Sequence, residues 1–222
     1  MIPTLLWQCP LCHTDDALTQ KRHWLQLDEV RCTHCRTVWE VRRVIGNDYL
    51  LTIILGAPRD IGRRQSLAEW YDLMKTGLRL APQEAPPLDL KPGEEVYVQS
   101  RGAELLVEED NQLLRDWTEA EAPSQKEGGI GLSFLKRGDR GRLFLTSERL
   151  IWMGERHTLH FRLYRINSVH TEVTWYLGLL YGLCLYKFRF KEESILKWLT
   201  YIAIVAKRIQ AVYQHEIAVS NY

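Results

Sequence analysis

The sequence predicts an α+β protein, mostly β, in two modules joined by a helix. Three observations carry that reading. Two Cys-x-x-Cys pairs stand close together near the N-terminus. Beyond Pro92 the apolar residues recur with period two, the mark of strands with one wet and one dry face. From Ile195 to Tyr213 they recur instead at three and four residues, the pattern of a long amphipathic helix. At 222 residues and 45% apolar content the chain is long enough to bury real cores.

The first pair is Cys9-Pro10-Leu11-Cys12 and the second Cys32-Thr33-His34-Cys35, with 19 residues between them. A tetrahedral zinc ion takes four soft ligands at about 2.3 Å, and each C-x-x-C turn presents two sulfurs on one side. The spacing lies in the range of a structural zinc site, so Cys9, Cys12, Cys32 and Cys35 are the expected ligands. Two such turns in a chain without a secretory signal weigh against disulfides. A redox C-x-x-C normally stands alone beside a βαβ pattern, and the presence of two pairs weighs against that reading. With four thiolates filling the shell, no position is left open for catalysis, and the expected Zn2+ is structural. His13 and His34 are then solvent-facing or outer groups, and Arg31 and Arg36 offset the −2 charge of the site.

Trp24, Leu25 and Leu27 give apolar content to a strand between the pairs, and Thr37 to Val41 forms another after them. Turn, strands, turn, strand resembles a zinc ribbon over about Leu6 to Val44. Tyr49 to Leu55 adds a further strand, ended by Gly56-Ala57-Pro58. Ser66 and Glu69 have the spacing of a capping box, and Leu67, Trp70, Tyr71, Met74 and Leu78 recur at helical intervals, so a helix is expected from about Leu67 to Arg79. Its apolar stripe is expected to pack on a neighbour. Ala81-Pro82-Gln83-Glu84-Ala85-Pro86-Pro87 cannot continue a helix and reads as a linker and domain boundary.

After the linker, Glu94 to Glu108 offers one or two strands, and 110–131 is polar with a short helix at about Asn111 to Ala120. The stretch Gly141 to Gly154, GRLFLTSERLIWMG, reads as a hairpin turning at Thr146-Ser147-Glu148, with Arg149 pairing to the turn. Further strands are expected at Thr158 to Phe161, Ile166 to Val173, Trp175 to Leu180 and Leu183 to Phe190. The closing helix runs through about Gln214, with Glu192 and Glu193 at its start, where the dipole favours negative charge. Six or seven antiparallel strands followed by that helix describe a bent sheet whose open end the helix plugs.

Gly141, Leu143, Leu145, Thr146, Arg149, Leu150, Ile151 and Trp152 make up G-x-L-x-L-T-x-x-R-L-I-W. This resembles the hairpin of GRAM-type and bacterial pleckstrin-homology-like (PH-like) domains. Leu163 to Val169 is similar to their following strand, roughly L-x-x-I-x-x-V. The resemblance covers about Leu90 to Gln214 and implies a PH-like bent β-barrel capped by a long C-terminal helix. The expected organisation is a four-cysteine zinc ribbon with an additional strand (1–58), a connecting helix and Pro-rich linker (59–89), the PH-like domain (90–216) and a tail (217–222).

The resemblance implies binding roles: anionic lipids for some members, peptides, ubiquitin or partner proteins for others. Lipid-binding members gather Lys and Arg after the first strand, where this chain has Val107-Glu108-Glu109-Asp110. The dense basic cluster lies elsewhere, and Lys136, Arg137, Arg140 and Arg142 are its candidate anion site. The formal charge of +1 becomes about −1 once four thiolates hold a divalent cation, and residues 1–58 carry six Lys/Arg against six Asp/Glu. Nucleic-acid binding, which runs on basic excess, is therefore the weakest expectation. His157, His160 and His170 sit on expected strands without a nucleophile or carboxylate at an enzyme's spacing, and no P-loop, G-x-S-x-G or dinucleotide fingerprint occurs. Cys184 reads as a small core residue.

The start MIPTLLWQCP lacks the features of a secretory signal. The longest uncharged run, Val173 to Tyr186, has 14 residues, short of the roughly 20 a membrane span needs. The expectation is a cytoplasmic, non-catalytic adaptor that binds a protein partner. Peripheral contact with anionic membrane lipid is the second reading and nucleic-acid binding by the ribbon the third.

Overall fold

A computed structural model describes residues 2–23, 27–44, 48–84, 86–107, 138–172, 176–182, 184–191, 193–213 and 217–221. The chain divides into two units, Met1–Arg79 and Leu80–Tyr222.

In the first unit a one-turn helix α1 (Ile2–Leu5) precedes β1 (Leu18–Lys21), β2 (Asp28–Cys32), β3 (Val38–Arg43), β4 (Tyr49–Leu55) and β5 (Arg64–Ser66). Each strand pairs antiparallel with the next, giving the sheet order β1-β2-β3-β4-β5. Alternation sends Val30, Trp39, Val41, Leu51 and Ile53 to the buried face. Helix α2 (Leu67–Thr76) lies against β4 and β5. Its capping box is complete: Ser66 Oγ accepts from Glu69 N–H (3.2 Å) and Glu69 accepts from Ser66 N–H (2.7 Å). Leu67, Trp70 and Met74 form its buried stripe. Trp70 meets Trp39 edge-on at 6.0 Å and donates its indole N–H to Leu51 O (3.2 Å). The helix stops at Thr76, short of Arg79, because Gly77 caps it.

Trp24 and Leu25 lie outside the described residues, Leu27 is 40% exposed, and β2 begins at Asp28. Asp28 accepts from Gln20 Nε2 (3.1 Å) and His23 N–H (3.3 Å), which fixes the strand's start. The three-residue β5 has no apolar alternation to announce it.

The second unit holds β6 (Val96–Gln99), β7 (Ala103–Val107), β8 (Asp139–Thr146), β9 (Arg149–Gly154), β10 (Thr158–Arg162), a 3-10 turn (Leu163–Arg165), β11 (Ile166–Glu172), β12 (Tyr176–Tyr181) and β13 (Cys184–Phe190). Helix α3 (Ile195–Tyr213) and β14 (Ala218–Asn221) complete it. The sheet order is β10-β9-β8-β7-β13-β12-β11-β14, with β6 also on β8, and the sheet curls into a half-barrel. An early strand meets a late one where Leu105 pairs with Phe188. Glu94 to Glu108 is two strands rather than one. The ladder on β8 is interrupted at Ser100, whose backbone and side chain bond Leu143 (2.8 and 2.7 Å), and β7 resumes it from Ala103 to Leu105. β7 then runs on toward β13.

The interior is aromatic. Phe161 packs on Tyr186 (4.8 Å) and Phe188 (6.0 Å), and Phe188 on Trp152 (5.8 Å). Helix α3 lies against β11, β12 and the 3-10 turn, with Trp198 stacked on Phe190 at 5.1 Å. Glu193 is buried rather than a surface charge at the dipole: it accepts from Trp198 Nε1 (3.1 Å) and Arg101 N–H. Glu192, Gln214, Trp175 and the expected helix at 111–120 lie outside the described residues.

Residues 217–222, expected as a tail, contain β14, which pairs parallel with β11. Ile217 is buried beside the strand and anchors it. Among the described residues no helix is long and apolar enough to cross a membrane.

Candidate metal centre

Two tight turns of the same design bring the paired cysteines together. In the first, His13 N–H donates to Cys9 O (2.9 Å) and Cys9 N–H to Thr14 O (3.0 Å). In the second, Arg36 N–H donates to Cys32 O (3.1 Å) and Cys32 N–H to Thr37 O (2.9 Å). Each reversal passes through a left-handed residue at the same place, His13 at φ 55° and Arg36 at φ 62°. A bridge between Gln8 and Asp15 closes the first turn, and the β2–β3 pairing carries the second.

The four sulfurs lie within 4.8 Å of one another and could hold a metal ion such as zinc. Cys9 Sγ is 3.8 Å from Cys35 Sγ, and Cys12 Sγ is 3.7 Å from Cys32 Sγ. A tetrahedron with metal–sulfur bonds of about 2.3 Å has edges of about 3.8 Å. Those contacts are therefore of tetrahedral size and far longer than a disulfide of about 2.05 Å. Cys9 and Cys32 are buried, Cys12 and Cys35 half-buried, and all four are unbridged.

Their acidities differ. Burial pushes the Cys9 and Cys32 thiols up. At Cys12 burial also acts upward, but hydrogen bonds with Thr14 and the neighbouring thiols outweigh it and bring the pKa to about 6. A divalent cation among the sulfurs supplies the charge that lets the reluctant thiols deprotonate. The donor set fits such an ion: four soft ligands, and Cys35 N–H aimed at Cys32 Sγ (3.4 Å).

Two residues of this centre went unread in the sequence. Thr14 Oγ1 lies 3.3 Å from Cys12 Sγ, and Thr37 Oγ1 lies 3.3 Å from Cys35 Sγ. The signal was present as a repeated C-x-x-C-x-T. His13 takes no ligand role here: its ring lies against Gly77, where an added Cβ would come within 2.2 Å of it. His34, Arg31 and Arg36 are exposed.

Of the candidate anion site, Arg140 and Arg142 fall among the described residues. Lys136 and Arg137 lie outside them. Arg142 donates to Ser100 O (3.0 Å) and Gln99 Oε1 (3.0 Å) and lies over the Phe144 ring. Arg140 is exposed and stands in backbone register with Glu104, whose carboxylate binds Arg189. His160 and His170 lie on separate strands, β10 and β11, while His157 precedes β10. His160 bonds Arg149 Nη1 through Nδ1 (3.1 Å), and the His170 ring lies over Gly178. Cys184 is half-buried with its thiol pushed up by burial.

In comparisons with known proteins, no family model and no curated protein matches this chain.

Proposed function

We propose that the chain is a non-catalytic adaptor in which a zinc ribbon and a PH-like, GRAM-type domain serve to bind a protein partner. The observation that carries this reading is the four-sulfur cluster, whose ligands all come from the chain. Four protein sulfurs saturate a tetrahedral zinc and leave no site for substrate, so the metal supplies folding energy to a small module rather than reactivity. The PH-like assignment draws support from the strand order β10-β9-β8-β7-β13-β12-β11 followed by a helix. In that order β7 to β10 and β11 to β13 are two runs of consecutive antiparallel strands, joined where β7 pairs with β13. Arg142 is spent on internal hydrogen bonds and Arg140 stands opposite Glu104. This favours a protein over an anionic headgroup as the ligand of the second unit, because multiply charged headgroups need several free cations at once.

The test is purification of the tagged full-length chain from its own cells, with metal analysis and cross-linking mass spectrometry. One zinc per chain and a stoichiometric partner cross-linked to residues of the second unit are expected. A monomer carrying zinc but no partner would overturn the adaptor role, and a chain with no zinc would overturn the ribbon.

A further inference from the structure

Strand β14 closes one end of the second sheet. Among the described residues it pairs with β11 alone, and β11 holds β12 on its other side. Its departure would therefore break no pairing but its own. The contact is parallel and four residues long: Ser168 with Ala218, Val169 with Val219, His170 with Ser220 and Thr171 with Asn221. Parallel ladders are slightly weaker per residue than antiparallel ones.

Main-chain groups, which any residue but proline supplies in full, make this ladder. Side chains add little to it: Ile217 is buried, Ala218 exposed and Val219 half-buried. One aliphatic anchor and a short ladder put β14 at the low-stability end of the fold, where segments open without global unfolding. The edge beneath has its own support. β11 is paired with β12 along its length and packs against α3, with Val169 and Thr171 buried. A fixed sheet edge under a lightly held strand is a receptor for an extended segment.

The structure shows the chemistry such an occupant needs. It is extended, uncharged from 217 to 221, free of proline, and carries a branched aliphatic side chain at its first position. The chain's own segment reaches this edge in four residue steps from Tyr213, a span of at most about 14 Å. That tether gives it a high effective concentration at its own β11, with which an incoming strand must compete. The same short tether works against exchange of the strand with a second copy.

We propose that the β11 edge is the docking groove for an extended peptide of a partner protein, which displaces residues 217–221 as a cis-acting segment. This deepens the adaptor reading and rests on it: the partner adds a strand to β11 and seats an aliphatic side chain where Ile217 lies. Its apparent affinity is set by how often the cis segment leaves the edge.

The experiment measures fluorescence anisotropy of a labelled peptide of residues 216–222 against the full-length, zinc-loaded chain. Ile217→Asp in the chain places a charge at the buried anchor and should free the edge. The peptide is expected to bind this variant at least about tenfold more tightly than wild type. A chain lacking 217–222 should behave like the variant, and a peptide carrying Ile217→Asp should bind none of the three. Hydrogen exchange on the wild-type chain reads the same opening without any substitution. Amides of 218–221 should exchange at least about tenfold faster than those pairing β12 with β13. Exchange of 218–221 no faster than β12, equal peptide affinity for wild type and variant, or strand-exchanged dimers would each overturn the proposal. Absence of peptide binding, with a stoichiometric partner cross-linked elsewhere on the second unit, would remove the groove and leave the adaptor reading standing.

Discussion

Arg149 and Glu94 close a two-pronged ion pair, Nε to Oε1 and Nη2 to Oε2, both at 2.9 Å. The Glu94 side chain is 0% exposed and that of Arg149 14%. Thr146 Oγ1 adds a bond to the same carboxylate (2.7 Å), Lys91 N–H another (3.0 Å), and Arg149 also reaches Asp89 O (2.6 Å). The T-x-x-R of the β8–β9 turn thus fastens the hairpin to the segment entering β6. Because Glu94 is the more buried partner, removing Arg149 leaves a fully buried carboxylate with only the neutral donors Thr146 and Lys91 N–H, whereas neutralising Glu94 leaves a partly exposed arginine that keeps Asp89 O. Arg149→Met should cost about 3–5 kcal/mol in urea unfolding of the second unit. Glu94→Gln should cost clearly less, and equal costs would contradict this account.

The same cluster sets a pH dependence. Burial pushes the Glu94 carboxyl up from 4.5, but bonds from Arg149, Thr146 and Lys91 more than reverse it and hold it below that value. Its stabilisation is complete above pH 4.5 and is lost as pH falls through the lower folded value. His160 is moved down from 6.5, first by burial and then by Arg149, against the pull of Glu94 and Asp89. The folded state therefore prefers the neutral imidazole, a contribution present above pH 6.5 and lost as pH falls through the folded value. Urea midpoints on acidification should fall in two stages, with His160→Gln removing the first and Glu94→Gln flattening the second. A wild-type first stage in His160→Gln would refute the assignment.

Gly141 and Gly154 face each other across the β8–β9 ladder. A Cβ on Gly141 would lie 2.1 Å from Met153 O and 2.6 Å from Gly154 Cα, both backbone atoms. A Cβ on Gly154 would lie 1.8 Å from Asp139 Oδ2. Asp139 cannot step aside without orphaning Trp152 Nε1, which donates to it at 3.1 Å. Gly141→Ala and Gly154→Ala should each cost about 1–3 kcal/mol or more by thermal unfolding. Gly102→Ala, with nothing within 4 Å of the new carbon, should stay within about 1 kcal/mol of wild type.

What was legible in the sequence is what local patterning encodes. β4 was bounded by its own aliphatic run, α2 by its capping box, and the metal centre by cysteine spacing that no other element needed to complete. Partners distant in sequence were not legible. Glu94 looks like one of many surface glutamates until Arg149, 55 residues away, is placed over it. Arg142 looked free in a basic run because its acceptors, Gln99 and Ser100, come from a strand that only the fold brings alongside. β14 was missed because parallel pairing across a long helix leaves no hairpin signal. Thr14 and Thr37 are legible only as the repeated C-x-x-C-x-T, because a threonine two residues after a cysteine is not itself a metal ligand.

Those two threonines carry the last prediction. Each lies two residues after a cysteine and places its hydroxyl 3.3 Å from that cysteine's sulfur. Toward a metal-bound thiolate, which carries no proton, the hydroxyl must be the donor, spreading the sulfur's charge and fixing its direction. Valine keeps the shape and the β-branch but deletes the donor. Thr14→Val and Thr37→Val should therefore each weaken zinc retention by about 10–100-fold in competition with a colorimetric chelator. The near-equivalence of the two turns further requires the two losses to be similar. A zinc ion held by these four sulfurs would contribute on the order of 10 kcal/mol to folding, so full chelation under reducing conditions should unfold the first unit. Loss of near-ultraviolet dichroism from buried Trp7, Trp39 and Trp70 would report it. If the first unit kept that signal without metal, or if the valine variants held zinc as tightly as wild type, the sulfur cluster would not be the keystone of this fold.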